Sequence, residues 1–584
     1  MRKTKIICTV GPSTDEDYVM RNMMLAGMNL ARFNFSHSSH EEHQKRFEQV
    51  KRIREELELP IATILDTKGP EVRIGKFENG KELLPAGETF TLTTKDVIGT
   101  NTMVSVSLKE LPQTVQTGSR ILLDDGLIEL RVVSLTDTDV ICTVLSGGPI
   151  SNNKGVNIPG VNLPIPYVSK KDQEDLIFGA EIGFDYIAAS FVRSAEDVMK
   201  IKDVLAKNNG KHMRVIAKIE NAQGVDNIDE ILQVADGIMV ARGDMGVEIP
   251  LEEIPRLQKM LIHKCYNAGK QVITATQMLE SMISHSRPTR AETTDVANAI
   301  YDGTSAIMLS GETAVGKYPV EAVKTMACIA ERTELDIDYR KQFFLRNFNR
   351  SPNVTNAISH ASCTTAYDLG ATAIITVTKT GRTARKLSKY RPSIPIIGCT
   401  TDPYVYRQMA LSWDVYPLMI EEQHDTDELC SHAIQKVTDA GYLKSGDLVV
   451  ITAGVPVGIP GTTNLLRVHI VGDVLVSGVG IGTGKVCSEL CVCQDEKEAI
   501  QQFKQHDILV LKESSAKLIN VMKKAAAIVI EDPDSNSQAA IVGQALDIPV
   551  IIGADNATSI LKSGTIVTVD AEKGLVQNSS KSYA

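Results

Sequence analysis

Two neighbouring stretches, VIAKIEN (215–221) and GIMVARGDMG (237–246), decide the fold. In the first, an apolar run ends on Lys218 and Glu220, two residues apart and therefore on one face of a strand. In the second, an apolar run leads into Asp244, flanked by Gly243 and Gly246, where the backbone can approach a ligand closely. Each is a short strand followed by a longer amphipathic stretch, the pattern of βα units and a parallel sheet.

Working outward, six more strands of the same kind appear: KIICTVG (5–11), LARFNFS (30–36), IATILDT (61–67), DYIAASF (185–191), QVITATQM (271–278) and SAIMLSGETA (305–314). Eight units fit a closed (β/α)8 barrel better than an open sheet. The barrel is expected over 1–69 and 169–339. Between its third and fourth strands, residues 70–168 change texture: EVRIGKF, ETFTLTT, SRILLDDGLIEL and VICTVLSGG alternate apolar and polar residues between Gly and Asp turns. They read as an inserted antiparallel β domain. Residues 340–472 return to βα units with ATAIITVT, PIIGCT and DLVVITAG, a C-terminal α/β domain. An extra mixed α/β domain over 477–584 opens with VSGVGIGTGKV and closes with AAAIVIED, IPVIIGA and GTIVTVD.

Length and composition agree with this division. At about 150 residues per domain, 584 residues suggest roughly four domains, or fewer if one is a full barrel. A formal charge of -10 gives no global case for nucleic acid or an anionic membrane as partner. The ten cysteines show no CxxC pair and no disulfide density, which favours a reducing cytoplasm. The N-terminal apolar run is too short for a signal peptide, and no stretch approaches a membrane span.

Barrel chemistry stands at the carboxyl ends of the strands. There Arg32, Asn34 and Ser36 share one face while Ala31, Phe33 and Phe35 share the other, so the polar set faces the mouth and the phenylalanines face the helices. Asp66 and Thr67 end the third strand. VEIPLEEIP, after Asp244, starts a turn or helix whose free amides can hold an anion. Magnesium takes one or two protein carboxylates and completes its octahedron with water and substrate oxygens, which Glu220 and Asp244 suit. Lys218 beside the metal adds a positive charge for an enolate or a phosphoryl group in transfer. Taken alone, a lysine and a glutamate at this spacing make a solvated ion pair. Several polar strand ends together argue for a site.

IICTVGPS, FNFSH, LDTKGPEVR, AKIEN, ARGDMGVEIP, ATQMLESM, PTRAETTDVANAIYDG and SGETAVGKYP occur in order, and over about residues 1–470 the chain resembles the pyruvate kinases. The resemblance implies transfer of the phosphoryl group of phosphoenolpyruvate to ADP, giving pyruvate and ATP. It gives Lys218 transition-state stabilisation, Glu220 and Asp244 the Mg²⁺ (with Mn²⁺ as a substitute), and Arg32 the phosphoryl group. Gly243, Asp244 and Thr276 seat the substrate carboxylate, and Thr276, a poor acid, organises a proton donor or a water relay. Asn34, Ser36, Asp66 and Thr67 correspond to a K⁺ site, and Glu71 stands where potassium-independent relatives tend to carry lysine. Asn34, His37, Arg73 and Lys154 correspond to nucleotide contacts, with the insert as a lid that keeps water from the phosphoryl group. The family further implies a cytoplasmic homotetramer.

TVTKTGRTARKL places Thr378, Lys379, Thr380, Gly381, Arg382 and Thr383 between a strand and a helix. Such a turn can cradle phosphate, although an ordinary basic loop explains it as well. In pyruvate kinases this is a place for a phosphorylated effector. The later loop TAGVPVGIPGTTN lacks the tryptophan and arginine of fructose-bisphosphate-responsive relatives, so the effector's identity stays open. GVGIGTGKV fails the Walker pattern, with Val479 for the first glycine and Val486 after the lysine. Cys487, Cys491 and Cys493 have the wrong spacing for a zinc finger and read as ordinary thiols. DSNSQAAIVGQALDIPVIIG resembles the swivelling phosphohistidine domain of phosphoenolpyruvate-utilising enzymes. Gln538 replaces its catalytic histidine, and an amide cannot be that nucleophile, so a structural or interaction role is expected.

Two other functions compete. A Mg²⁺-dependent pyruvate-enolate aldolase shares the barrel and its two carboxylates but needs neither the lid nor Arg73 and Lys154. A catalytically silent metabolite sensor would be expected to lack Lys218 or a metal ligand, and both are present.

Overall fold

The computed structural model describes residues 1–161, 164–345, 353–423, 425–455, 463–472 and 474–578. The chain forms two compact units, Met1–Cys363 with Thr376–Thr426 and Thr452–Leu465, and Thr364–Ile375 with Asp427–Ile451 and Leu466–Ala584.

In the first unit eight parallel strands close into a barrel: Lys5–Thr9, Leu30–Asn34, Ala62–Asp66, Tyr186–Ala189, Arg214–Ile219, Gly237–Ala241, Gln271–Ala275 and Ala306–Leu309. These are the eight expected strands, with shorter carboxyl ends. ARGDMG and SGETA are not strand: helices Arg242–Glu248 and Gly311–Ala314 begin directly after the sixth and eighth strands. The free amides therefore belong to residues around Gly243 and Asp244. Residues 247–255, expected to start a turn or helix, span the end of that helix and then start the 3-10 turn Leu251–Glu253 and helix Ile254–Ala268.

The two-residue alternation of the strands sorts the core into two layers. Ile7, Leu30, Ile64, Ile216, Met239 and Ile273 fill the barrel interior. Ala31, Phe33 and Phe35 pack outward against Phe47 and Phe184, as their parity predicted. Burying a phenylalanine is worth about 1.5–3 kcal/mol, so a one-residue slip, which would exchange the two faces, is strongly disfavoured.

The insert folds as a seven-stranded sheet and a separate two-stranded sheet around its own apolar core. It departs from purely antiparallel pairing where Thr89–Thr93 and Met103–Ser105 pair in parallel, and in the parallel bridge between Phe77 and Gly99. Further along this unit, Ile396–Thr400 pairs in parallel with Val415–Met419. Thr289 and Glu292 form a capping box that closes the first turn of helix Arg290–Tyr301.

The second unit contains an eight-stranded mixed sheet. Its parallel centre runs through Lys485–Val492, Ile508–Leu511, Ala527–Ile530 and Val550–Ile552. Its edge strand Val474–Ser477 pairs with Leu575–Asn578, so the sheet begins three residues before the expected boundary. The glycine run is a turn between strands Val479–Ile481 and Lys485–Val492, with Gly482 and Gly484 at positive φ. A phosphate-binding loop would lead from strand to helix, so its rejection holds. Cys491 and Cys493 are buried free thiols 3.6 Å apart, and Cys487 is exposed. Gln538 opens helix Gln538–Leu546, capped by Ser537. No helix among the described residues is long and apolar enough to cross a membrane.

Candidate active site

Lys218 and Glu220 leave the carboxyl end of the fifth strand toward the mouth and are buried. Lys218 Nζ donates to Ser190 Oγ at 2.7 Å and to Asp66 Oδ1 at 3.1 Å, and stands 3.0 Å from Glu220 Oε1. Burial alone would lower the lysine's pKa, but the carboxylates of Asp66 and Glu220 outweigh it and raise it, so the ammonium stays charged. Asp66 also accepts from Arg32 Nε at 2.6 Å, and Arg32 Nη1 reaches Thr9 Oγ1 at 2.9 Å. Burial pushes Asp66 up, but Arg32 and Lys218 win and hold it below the usual carboxylate range.

Glu220 is shifted the other way. Burial, opposed by Lys218 and reinforced by the charge of Asp244, pushes it up to about 7. Its Oε2 accepts the backbone N–H of Phe191 at 2.5 Å, and Phe191 holds the uncommon φ of 54°. A buried carboxylate short of positive charge, with a second carboxylate acting on it, is the donor set that a hard divalent cation satisfies. No group of three or more His, Cys, Asp or Glu among the described residues could hold a metal ion unaided. Two carboxylates completed by water and substrate oxygens suit Mg²⁺ and not a structural zinc site.

Thr276 follows the seventh strand with φ 68°, and Gln277 beside it has φ 53°. Strain of this kind persists only where the surroundings enforce it. Here Thr276 Oγ1 accepts from Gly243 N at 2.9 Å and donates to Ala275 O at 2.6 Å, while Arg242 Nη2 holds Thr276 O at 2.7 Å. A Cβ on Gly243 would lie 3.4 Å from Thr276 Oγ1. The sixth- and seventh-strand loops are thus fastened together.

Asn34, Ser36, Asp66 and Thr67 sit at the ends of the second and third strands. Asn34 Oδ1 accepts from Ser36 N at 3.1 Å, and Thr67 Oγ1 accepts from Ser190 N at 3.1 Å. Both carboxylate oxygens of Asp66 already have cationic partners. A cavity of about 350 Å³ brings His37, Arg73 and Lys154 together with Asp244, a size in the range of small-molecule sites. His37 N donates to Asn34 O at 3.2 Å. Arg73 pairs with Glu71 at 2.7 Å and Lys154 with Asp124 at 2.8 Å, so both cations are held at the cavity wall.

The effector-loop residues are placed differently. Gly381, at φ 67°, caps helix Arg382–Lys389. Thr383 Oγ1 is buried against Thr463 Oγ1 at 2.6 Å, Thr378 is buried, and Lys379 pairs with Glu422 at 3.1 Å. Thr380 O accepts from Arg214 at 3.3 Å, and Arg382 is exposed. Residues 456–462 of the later loop lie outside the described residues.

Sequence reasoning missed Thr9, Asp124, Asp125, Ser190 and Arg242. Ser190 and Thr9 lay inside strands already singled out, where parity could have flagged them. Asp124 and Asp125 were read only as a turn, which they are, both at positive φ.

Residues 1–323 match the family "Pyruvate kinase, barrel domain", 356–469 "Pyruvate kinase, alpha/beta domain" and 503–574 "PEP-utilising enzyme, mobile domain". The chain is 48% identical over 577 residues to a pyruvate kinase of Geobacillus stearothermophilus, covering 98% of each chain. It is 47% identical over 583 residues to that of Sporosarcina psychrophila, covering 99% of each. With a pyruvate kinase of Clostridium acetobutylicum it shares 50% identity over 472 residues, which are 81% of this chain and all of that one. A crystal structure of a pyruvate kinase from Cryptosporidium parvum superposes with a TM-score of 0.77 at 40% identity, covering 80% of this chain and 96% of that one. These matches give the aldolase alternative no support. From its first strand through its α/β domain, the chain belongs to the pyruvate kinase family.

Proposed function

We propose that the chain transfers the phosphoryl group of phosphoenolpyruvate to ADP, giving pyruvate and ATP. The observation that carries this reading is the charged cluster of Lys218, Arg32, Asp66 and Glu220 at the barrel mouth, together with the cavity where Asp244 meets Arg73 and Lys154.

Glu220 and Asp244 are the residues to hold Mg²⁺, with Mn²⁺ as a substitute, and the bound ion supplies charge neutralisation on phosphoryl oxygens. Lys218 presents a permanent ammonium to the charge that develops between enolate and transferring phosphoryl group. Arg32, fixed by Asp66 and Thr9, offers its remaining N–H groups to the phosphoryl oxygens. The helix beginning at Arg242, with Gly243, Asp244 and Thr276, receives the substrate carboxylate. The Thr276 hydroxyl proton is held on Ala275 O, which favours its role as an organiser of the group or water that protonates the enolate. Asn34, Ser36, Asp66 and Thr67 supply hard oxygen ligands for K⁺. Asn34, His37, Arg73 and Lys154 take the nucleotide, and the insert closes over it.

The same reading divides the chain at 1–69 with 169–339, 70–168, 340–472 and 477–584. It places the protein in the cytoplasm as a homotetramer regulated by a phosphorylated metabolite at Thr378–Thr383, with a structural or interaction role for the last domain. A coupled assay of pyruvate formation tests the activity: turnover with phosphoenolpyruvate and ADP is expected to be lost without Mg²⁺ and reduced without K⁺. Pyruvate formation without ADP, or none in the complete mixture, would refute it.

A further inference from the structure

The two stretches of chain that join the insert to the barrel both rest on Ser190 and Phe191, the residues that follow the fourth strand. Gly69, in the outgoing connection, sits at φ 74°, and a Cβ there would lie 2.9 Å from Ser190 Cβ and 3.1 Å from Phe191 Cδ2. Its N–H donates to Asp172 Oδ1 at 3.1 Å, in the first turn of helix Lys170–Ile182. Tyr167, in the returning connection, is 3% exposed, and its hydroxyl donates to Ser190 O at 2.9 Å.

Ser190 O and Phe191 N belong to one peptide group, which is planar, so its oxygen and its N–H turn together. The oxygen accepts from Tyr167, and the N–H donates to Glu220 Oε2 at 2.5 Å. Phe191 holds this plane at φ 54°, a left-handed conformation that a bulky residue keeps only under constraint. Ser190 itself is fixed by other contacts: its Oγ donates to Thr67 O at 2.7 Å and accepts from Lys218 Nζ at 2.7 Å, and its N–H donates to Thr67 Oγ1 at 3.1 Å. The tilt of the peptide that follows is set by its own two hydrogen bonds. A buried tyrosine needs some acceptor for its hydroxyl, and any carbonyl would serve. Tyr167 uses the carbonyl of a peptide whose other end orients a carboxylate of the barrel mouth.

We propose that Tyr167 is a positioning residue for Glu220: its hydroxyl holds the 190–191 peptide at the tilt that presents the Phe191 N–H to the carboxylate. This rests on the reading of Glu220 and Asp244 as the Mg²⁺ ligands. With Oε2 held by the N–H and Oε1 3.0 Å from Lys218 Nζ, the carboxylate has one orientation before a cation arrives. Without the hydroxyl the peptide is free to relax from its left-handed conformation, and the carboxylate loses its fixed donor.

Tyr167→Phe removes that hydroxyl and little else. Binding of Mn²⁺ to the full chain, followed without substrate by the electron paramagnetic resonance of the free ion, is compared in wild type, Glu220→Gln and Tyr167→Phe, with thermal unfolding of the metal-free proteins in parallel. Glu220→Gln is expected to abolish one Mn²⁺ site of wild type. Tyr167→Phe should keep that site but raise its Kd about three- to tenfold, the effect of losing one neutral hydrogen bond. The Mg²⁺ concentration for half-maximal pyruvate formation should rise by the same factor. Wild-type Mn²⁺ affinity in Tyr167→Phe, whether or not Tm falls, would make the hydroxyl a structural contact only and overturn the proposal while leaving the metal ligands in place. Undiminished binding to Glu220→Gln would overturn the assignment of the metal ligands, and the proposal with it.

Discussion

Lys218 Nζ and Glu220 Oε1 stand 3.0 Å apart, from side chains two residues apart on one strand. The lysine is held charged, while the glutamate is pushed up to about 7. One position therefore keeps a fixed positive charge, and its neighbour is buried with too little positive charge to balance it.

Replacing Lys218 with Met should lower kcat by about 10²–10³-fold or more, the range for removing one transition-state donor. Substrate binding should change far less. The variant also leaves Asp66 and Glu220 without their shared partner, a cost of about 3–5 kcal/mol in stability. Steady-state kinetics with a parallel unfolding measurement separates the two effects, and retained turnover removes Lys218 from its role.

Exchanging all K⁺ for Na⁺ at constant ionic strength should reduce turnover at least about tenfold, ~1.4 kcal/mol in the barrier. Glu71, paired with Arg73 and Lys68, stands where potassium-independent relatives tend to carry lysine, so on that resemblance Glu71→Lys should weaken the dependence. Equal rates in the two salts would remove Asn34, Ser36, Asp66 and Thr67 as cation ligands.

Arg73→Ala and Lys154→Ala should each raise KM for ADP by roughly 10-fold or more, the loss of a charge-assisted hydrogen bond of about 1.5–3 kcal/mol. KM for phosphoenolpyruvate should stay close to wild type. Equal effects on both substrates would mean that these residues act by closing the insert and not by touching nucleotide.

His43 is buried, stacked on Phe35 at 4.0 Å, with Nε2 2.9 Å from His37 O. Burial, despite that hydrogen bond, pushes it down to about 4. The unfolded chain therefore binds the proton first, and stability is complete above about pH 6.5 and declines as pH falls toward 4. The total is at most on the order of 3 kcal/mol. Urea titrations at pH 7 and pH 5 should show a smaller acid loss for His43→Gln than for wild type.

A Thr378→Ala/Thr380→Ala/Thr383→Ala variant should lose binding of a radiolabelled phosphorylated effector. Thr383→Ala alone also frees Thr463 from its partner, so its effect includes loop order. Undiminished binding of sugar phosphates and nucleotides by the triple variant would place the effector elsewhere.

Strand alternation was enough to read the barrel, its two-layered core and the direction of Arg32, Lys218 and Glu220, because burial on a parallel sheet fixes which residues face which way. Val479 and Val486, which break the Walker pattern, were enough to reject the glycine run as a phosphate loop. Alternation was no guide at the carboxyl ends. Gly243, Asp244 and Thr276 left the strand pattern for a helix start and a left-handed turn, whose geometry depends on hydrogen bonds between separate loops. The insert's parallel pair, Thr89–Thr93 with Met103–Ser105, escaped for another reason: so short a connection reads as an antiparallel hairpin, and a period of two does not tell the two orientations apart.

The opening stretch, VIAKIEN with GIMVARGDMG, by itself determined a parallel strand, a charged pair at its end and a carboxylate beside glycines, since these follow from periodicity and side-chain chemistry. Only the tertiary structure decided how the charges divide. Asp66 arrives from 152 residues upstream of Lys218 and, with Arg32, fixes the lysine's charge, while Glu220 is left buried without enough of it. Charge balance depends on distance and burial, and neither is written along a single strand.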